Sequence, residues 1–110
     1  MKYDIVVTNP AQDDLEEILN YISVDLSAPK SAIEMLNKIK SIFENLSINP
    51  LMYPLCNIDN LKAKNYRKAV INNYLMFYRV DDKNETIYIG GIWICNAEYI
   101  DACRSSKRIG

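Results

Sequence analysis

The 110-residue sequence predicts a single α+β domain. Apolar residues recur at helical spacing in the first half of the chain, and in the second half they fall in short runs rich in β-branched and aromatic residues. The expected architecture is an N-terminal strand, an antiparallel two-helix hairpin packed on a three- to four-stranded antiparallel sheet, and a short C-terminal helix. Residues 1–104 are expected to form this domain, followed by a flexible basic tail at residues 105–110.

The first half of the chain begins with a short strand over residues 3–8 and continues with two amphipathic helices. Asn9 is placed to cap the first helix, which is expected over about residues 10–25. A break at residues 27–29 separates it from a second helix that runs to about Leu46. Because the break is so short, the two helices are expected to form an antiparallel hairpin.

The second half predicts a three-stranded meander after a connector at residues 49–65, which is expected to be an ordered loop. The predicted strands cover residues 66–71, 74–80 and 86–94. The two-residue link Asn72-Asn73 favours a tight hairpin turn, and Gly90-Gly91 favours a bulge in the last strand. Turns this short exclude crossovers, so the meander is antiparallel and the N-terminal strand must return to a sheet edge. A short helix from Asn96 to about Cys103 follows.

Composition excludes several kinds of active site. The chain has no histidine, which removes Ser-His-Asp triads, Cys-His pairs and the common histidine-containing metal sites. The three cysteines, Cys56, Cys95 and Cys103, form no Cys-x-x-Cys pair. Reduced thiols are therefore expected, and neither a bound metal nor a cofactor is expected. No apolar stretch is long enough to cross a membrane and the N-terminus lacks a signal-peptide pattern, which favours a cytoplasmic protein.

Charge is unevenly distributed although the net charge is only −1. Residues 1–50 carry four basic and eight acidic side chains, whereas residues 51–110 carry nine basic and six acidic ones. Between Leu61 and Val80 there is no acid, and the basic residues there are Lys62, Lys64, Arg67, Lys68 and Arg79. A local basic patch on a nearly neutral protein indicates a local anionic or acidic partner.

The strand at residues 74–80 is apolar on both faces, since Leu75 and Phe77 alternate with Tyr74, Met76 and Tyr78. A helical hairpin covers only one face of a sheet. The other face is expected to be open for a partner, unless the connector at residues 49–65 or the C-terminal tail folds over it. The candidate partner-binding residues are therefore Lys62, Lys64, Leu75, Phe77, Arg79 and Trp93.

Asn9-Pro10-Ala11 comes before an acidic helix, the second helix ends at Asn49-Pro50, and Tyr66-Arg67-Lys68 comes before the strand from Asn73 to Val80. Together these segments resemble the RelE/ParE toxins of bacterial toxin–antitoxin pairs. This resemblance spans residues 1 to about 101. The resemblance implies an antitoxin whose C-terminal segment wraps the toxin, and hence a hetero-oligomer of the two proteins. A basic, apolar sheet face suits an acidic amphipathic segment of that kind.

Two activities are implied by the resemblance. RelE-type toxins cut messenger RNA on the ribosome with basic and tyrosine side chains, for which the candidates in this chain are Arg67, Lys68, Arg79 and Tyr99. ParE-type toxins inhibit DNA gyrase. This chain has Leu75 where RelE toxins carry an arginine, and the segment from Gly91 to Ala97 lacks their terminal basic residues. The sequence therefore favours a ParE-like gyrase inhibitor, with a ribosome-dependent endoribonuclease or an inactive antitoxin-binding homologue as the alternatives.

Overall fold

The computed structural model describes residues 2–56 and 59–94. The strands are β1 (Asp4–Val7), β2 (Arg67–Ile71), β3 (Tyr74–Asp81) and β4 (Thr86–Ile94). The helices are α1 (Asn9–Asn20), α2 (Pro29–Ile48) and the short α3 (Asp59–Ala63), and a π-helical turn at Tyr21–Asp25 extends α1. The predicted helical hairpin and meander are confirmed, and the described elements follow the predicted order except for α3, which was not predicted. The predicted C-terminal helix and basic tail lie outside the described residues.

The four strands form one sheet in the order β1-β4-β3-β2. Strands β2, β3 and β4 are an antiparallel meander, as the short turns require. β1 returns to the edge beside β4, as expected, but this pair is parallel, with Ile5 opposite Ile87. The helical hairpin explains the difference, because a long crossover permits the parallel pairing that a short turn forbids.

Two special backbone positions of the meander agree with the sequence. Asn72, the first residue of the β2–β3 turn, has a φ of 54°, a conformation that asparagine tolerates better than most residues. In β4 the register shifts so that Gly91 pairs with Phe77 and Ile89 pairs with Tyr78, which leaves Gly90 as the extra residue of a bulge.

The helix boundaries differ from the expectation at several points. Thr8 rather than Asn9 caps α1, because the Thr8 hydroxyl accepts a hydrogen bond from the Ala11 backbone N–H at 3.4 Å. The first helix is α-helical only to Asn20. The connector is not simply a loop, since it contains α3, which is too short to show a clear apolar periodicity.

The main core lies between the helical hairpin and one face of the sheet. The buried sheet residues on that face are Ala69, Ile71, Tyr74, Met76, Tyr78, Ile87, Ile89 and Ile92. Helix α2 contributes Met35, Ile39 and Leu46, which are at most 1% exposed. This face of the sheet therefore packs against the helices. Among the described helices, none is long and apolar enough to cross a membrane.

Candidate functional site

The candidate site is the sheet face that points away from the helices, which we call the second face. Side chains alternate between the two faces of a strand, so this face takes every other residue of the meander. Its residues are Lys68, Val70, Leu75, Phe77, Arg79, Tyr88 and Trp93. Four of the six candidate partner-binding residues, all except Lys62 and Lys64, therefore share one surface.

The connector covers much of this face. Leu75 is 0% exposed and Phe77 is 2% exposed, and they pack with Cys56, Leu61 and Tyr66 from the connector and its end. The expectation of an open apolar face is therefore wrong, and the alternative, in which residues 49–65 fold over it, is correct. Leu75 and Phe77 stabilise a second small core and are out of reach of any partner while the connector stays in place.

Backbone hydrogen bonds hold the connector to the edge of the sheet. The Lys68 N–H donates to the Pro54 carbonyl oxygen at 3.0 Å, and the Cys56 N–H donates to the Tyr66 carbonyl oxygen at 2.8 Å. Leu55 lies opposite Arg67 in an isolated antiparallel bridge. The connector thus behaves as a short extra strand beside the first half of β2, which fixes its path over the second face.

Aromatic rings cover part of the second face along β4. Trp93 is half-buried, and its ring meets the ring of Phe77 edge-on with the centroids 4.2 Å apart. The ring of Tyr66 lies against Gly90 in the β4 bulge. Trp93 is thus a packing residue of this cluster with part of its surface still accessible.

Arg67 and Lys68, two of the candidate catalytic residues, point to opposite faces of the sheet. Arg67 is on the helix side, where its Nη1 donates to the Tyr53 carbonyl oxygen at 2.6 Å. Lys68 is on the second face and is 0% exposed, so it is a buried strand residue and not a solvated charge. Burial lowers the pKa of the Lys68 ammonium, and interaction with Cys56 partly opposes that shift.

The remaining basic candidates are accessible. The Arg79 guanidinium lies over the ring of Tyr88, 4.9 Å from its centroid, and is only half-buried. Lys62, at the end of α3, and Lys64, in the turn after it, are exposed. Tyr99 lies outside the described residues. The second face therefore presents the positive charge of Arg79, and the connector that covers this face carries two exposed lysines.

Sequence reasoning missed Tyr66 as the covering ring and Tyr88 as the partner of Arg79. Tyr88 could have been found from the turn after β3, because pairing Asp81 with Thr86 places Arg79 opposite Tyr88. The Tyr66 contact crosses from the end of the connector to β4, and no local pattern encodes it. Within residues 2–56 and 59–94, no group of acidic or cysteine side chains is arranged to hold a metal ion.

Comparison with known proteins identifies the family. The model of the ParE toxin of the type II toxin–antitoxin system parDE matches residues 5–97. The chain belongs to the ParE toxin family. This match covers every described strand and helix except the first residue of β1, so it extends over the whole described fold. No curated protein matches the chain.

Solved structures share the ParE-family fold of this chain. The ParDE system of Pseudomonas aeruginosa aligns with a TM-score of 0.65 at 17% identity, over 86% of this chain and 98% of that one. The RelBE2 toxin–antitoxin complex of Mycobacterium tuberculosis aligns with a TM-score of 0.59 at 23% identity, over 86% and 99%. A free, mutant RelE toxin of Escherichia coli aligns with a TM-score of 0.53 at 13% identity, over 96% and 98%. At these identities the likeness establishes the fold.

Proposed function

We propose that this ParE-family chain is the toxin of a two-component pair, that it inhibits DNA gyrase, and that a cognate antitoxin neutralises it. The proposal places it in the cytoplasm, where gyrase works. The family match supports the toxin role. The solved relatives include RelBE2 and ParDE, which are named as a toxin–antitoxin complex and system, and they support an antitoxin partner for this chain as well.

The separation of Arg67 from Lys68 argues against an RNA-cleaving site, and it is the observation that most supports gyrase inhibition as the activity. A site that cleaves a phosphodiester must bring its charged groups together around one phosphate, because catalysis depends on their convergence. Here Arg67 bonds a connector carbonyl on the helix side and Lys68 is buried on the other side. Leu75, where RelE toxins carry an arginine, is part of the second core. Of the described catalytic candidates, Arg79 is half-buried on the second face, whereas Arg67, which is also half-buried, lies on the helix side.

The accessible surface suits binding better than cleavage. Arg79 on the second face and Lys62 and Lys64 on the connector that covers it offer separate, accessible positive charges. Such charges steer and orient an acidic partner, since complementary charges raise association rates and specificity. An acidic antitoxin segment and an acidic surface of a target protein both fit this description.

One set of measurements tests the proposal. The gene is induced alone and together with the gene next to it, and growth is followed. The purified chain is then added to gyrase in a supercoiling assay, and ribosome-bound messages from arrested cells are mapped for cleavage. The expected result is growth arrest that the neighbour relieves, inhibited supercoiling and intact messages.

Other outcomes would overturn the proposal in distinct ways. Normal supercoiling at large protein excess, with cleaved messages, would assign the chain to the RelE-like endoribonucleases, with Arg79 and Tyr99 as the first residues to substitute. Harmless expression with a tight complex between the two gene products would assign it to the inactive antitoxin-binding homologues.

A further inference from the structure

Large apolar side chains are exposed together where α2 ends and the connector begins. Each of them is at least 40% exposed, and all of them fall between residues 48 and 55. We call this group the apolar patch, and its members are Ile48, Leu51, Met52 and Leu55. A single exposed apolar side chain is ordinary on a protein surface, whereas a group of them indicates a contact with another molecule.

The backbone that carries the apolar patch is fixed, so its side chains are not exposed by fraying. A tight turn keeps the first three of them together, because the Met52 N–H donates to the Asn49 carbonyl oxygen at 3.2 Å. The Pro50 carbonyl oxygen in the same turn accepts a hydrogen bond from the buried Tyr78 hydroxyl at 3.0 Å. Beyond the turn, backbone bonds hold the connector to β2. A surface held in this way loses little conformational entropy when it binds.

The composition of this segment indicates what kind of partner it suits. Residues 45–58 include no charged side chain, whereas Lys62 and Lys64 come later in the connector. An acidic partner therefore finds no opposite charge within this segment. A copy of the same patch can meet it without bringing like charges together, since like-charge contacts are what exclude wrong partners. Most soluble oligomers pair identical surfaces around a two-fold axis in this way.

Charges of opposite sign flank the two ends of the apolar patch. Glu44 is exposed on α2 one turn before Ile48, and thus on the same side of the helix. At the other end, Arg67 lies opposite Leu55, and its guanidinium has further N–H donors beyond the one that bonds the connector. If two patches meet antiparallel around a two-fold axis, the acidic end of each copy lies over the basic end of the other.

We propose that the apolar patch joins two copies of this chain in a two-fold symmetric dimer, with Glu44 of each copy near Arg67 of the other. The inference goes beyond the proposed function and does not depend on it, because it concerns the free chain alone. Stable interfaces involve roughly 20–30 residues on each side, and this patch is much smaller. The dimer is therefore weak, with an expected dissociation constant of about 10–100 μM.

Sedimentation equilibrium of the purified chain measures the dimer. The weight-average mass is expected to rise from 12.7 kDa at a chain concentration of about 1 μM toward twice that value at about 500 μM. Thermal unfolding of every variant that is compared establishes that it is folded.

A substitution within the apolar patch and a matched control locate the contact. Leu51→Asp places a charge in the middle of the patch and is expected to raise the dissociation constant at least about tenfold, because the contact would bury that charge. Ile33→Asp makes the same kind of change at an apolar residue of α2 that is equally exposed but lies outside the patch. It is expected to leave the dissociation constant unchanged.

A charge reversal tests the antiparallel arrangement. Glu44→Lys brings a positive charge against Arg67 of the other copy, and it does so twice in each dimer because the contact is symmetric. It is expected to raise the dissociation constant at least about fivefold relative to Glu34→Lys. Glu34 is another exposed glutamate of α2, so the control changes the net charge by the same amount.

Three outcomes would overturn the inference. The first is a mass that stays at 12.7 kDa over the whole concentration range. The second is a dimer that Ile33→Asp weakens as much as Leu51→Asp does, which would place the contact elsewhere. The third is equal dimerisation of Glu44→Lys and Glu34→Lys, which would contradict the pairing of Glu44 with Arg67. None of these outcomes changes the expected result of the supercoiling assay, so the proposed function is tested separately.

Discussion

The ring of Tyr66 occupies the space above Gly90, so that a Cβ built on Gly90 would lie 2.7 Å from Tyr66 Cε1. Gly90 is the extra residue of the β4 bulge, and Tyr66 is the last residue before β2. The contact therefore joins the end of the connector to a strand that is not its neighbour in the sheet. A glycine at this position lets the connector close over the second face.

The first prediction concerns this contact. Gly90→Ala forces the Tyr66 ring outward and is expected to lower the free energy of unfolding by about 1–3 kcal/mol, as overpacking does. Urea denaturation measures the change. In a Tyr66→Ala background the same glycine substitution should cost less than about 0.5 kcal/mol, because the ring it would strike is gone. An equal cost in both backgrounds would show that the ring does not set the need for glycine.

The second prediction concerns the edge of β4. β1 pairs with β4 only as far as Ile89, and beyond it the Asp14 carboxylate of α1 accepts a hydrogen bond from the Ile92 N–H at 3.1 Å. Asp14→Ala removes this acceptor and is expected to cost about 1–3 kcal/mol. The Ile92 amide should also exchange faster. Asp13→Ala, at an exposed position of the same helix, is the control. If both variants lose the same stability, the contact contributes nothing specific.

The third prediction is a pH dependence that originates at Tyr78. Its side chain is 0% exposed, its hydroxyl donates to the Pro50 carbonyl oxygen at 3.0 Å, and burial raises its pKa to about 12. Since the unfolded pKa is near 10.0, the folded state favours the neutral phenol. Its contribution to stability is therefore complete below about pH 10 and is lost as the pH rises toward about 12.

The measurement for Tyr78 compares two proteins. Denaturation midpoints of the wild type and of Tyr78→Phe are followed from neutral to alkaline pH. The wild type should lose up to about 1.4 kcal/mol per pH unit above about pH 10 from this residue alone. The phenylalanine variant should start about 1 kcal/mol less stable and should lack that part of the decline. Parallel curves would contradict the assignment of the pH dependence to Tyr78.

Local patterns were sufficient to predict most of the fold. Helical periodicity, the Asn72-Asn73 turn and Gly90-Gly91 each encode structure within a few residues, and these features appear where they were expected. The parallel pairing of β1 with β4 depends on how the chain crosses the sheet, which short-range patterns do not specify. The α3 helix is too short to leave a periodic signal.

The site was harder to predict because it depends on what covers the sheet. The alternation in β3 correctly places Leu75, Phe77 and Arg79 on one face. Whether that face is open depends on where the connector packs, and this is set by backbone bonds from Pro54 and Cys56 to β2. Composition marks Lys68 as a charge, but only its position under the connector makes it buried.

The last prediction separates structure from activity at Arg67. The guanidinium of Arg67 bonds the Tyr53 carbonyl oxygen at 2.6 Å and so ties the connector to β2. Arg67→Ala is expected to lower the free energy of unfolding by about 1.5–3 kcal/mol, the usual range for a hydrogen bond from a charged group. Inhibition of supercoiling per folded molecule should stay unchanged, because this side chain lies on the helix side of the sheet.

Arg79→Ala is the matched comparison for Arg67, since it removes the same group from the accessible rim of the second face. It should change stability by only about 0.5–1 kcal/mol, through the lost contact with Tyr88, and should weaken binding of an acidic partner. The two substitutions are therefore expected to have opposite effects. Arg67→Ala should lower stability and leave inhibition unchanged, whereas Arg79→Ala should weaken partner binding and change stability little. A folded Arg67→Ala protein that no longer inhibits supercoiling would contradict the assignment, because it would place Arg67 in the working surface rather than in the support of the connector.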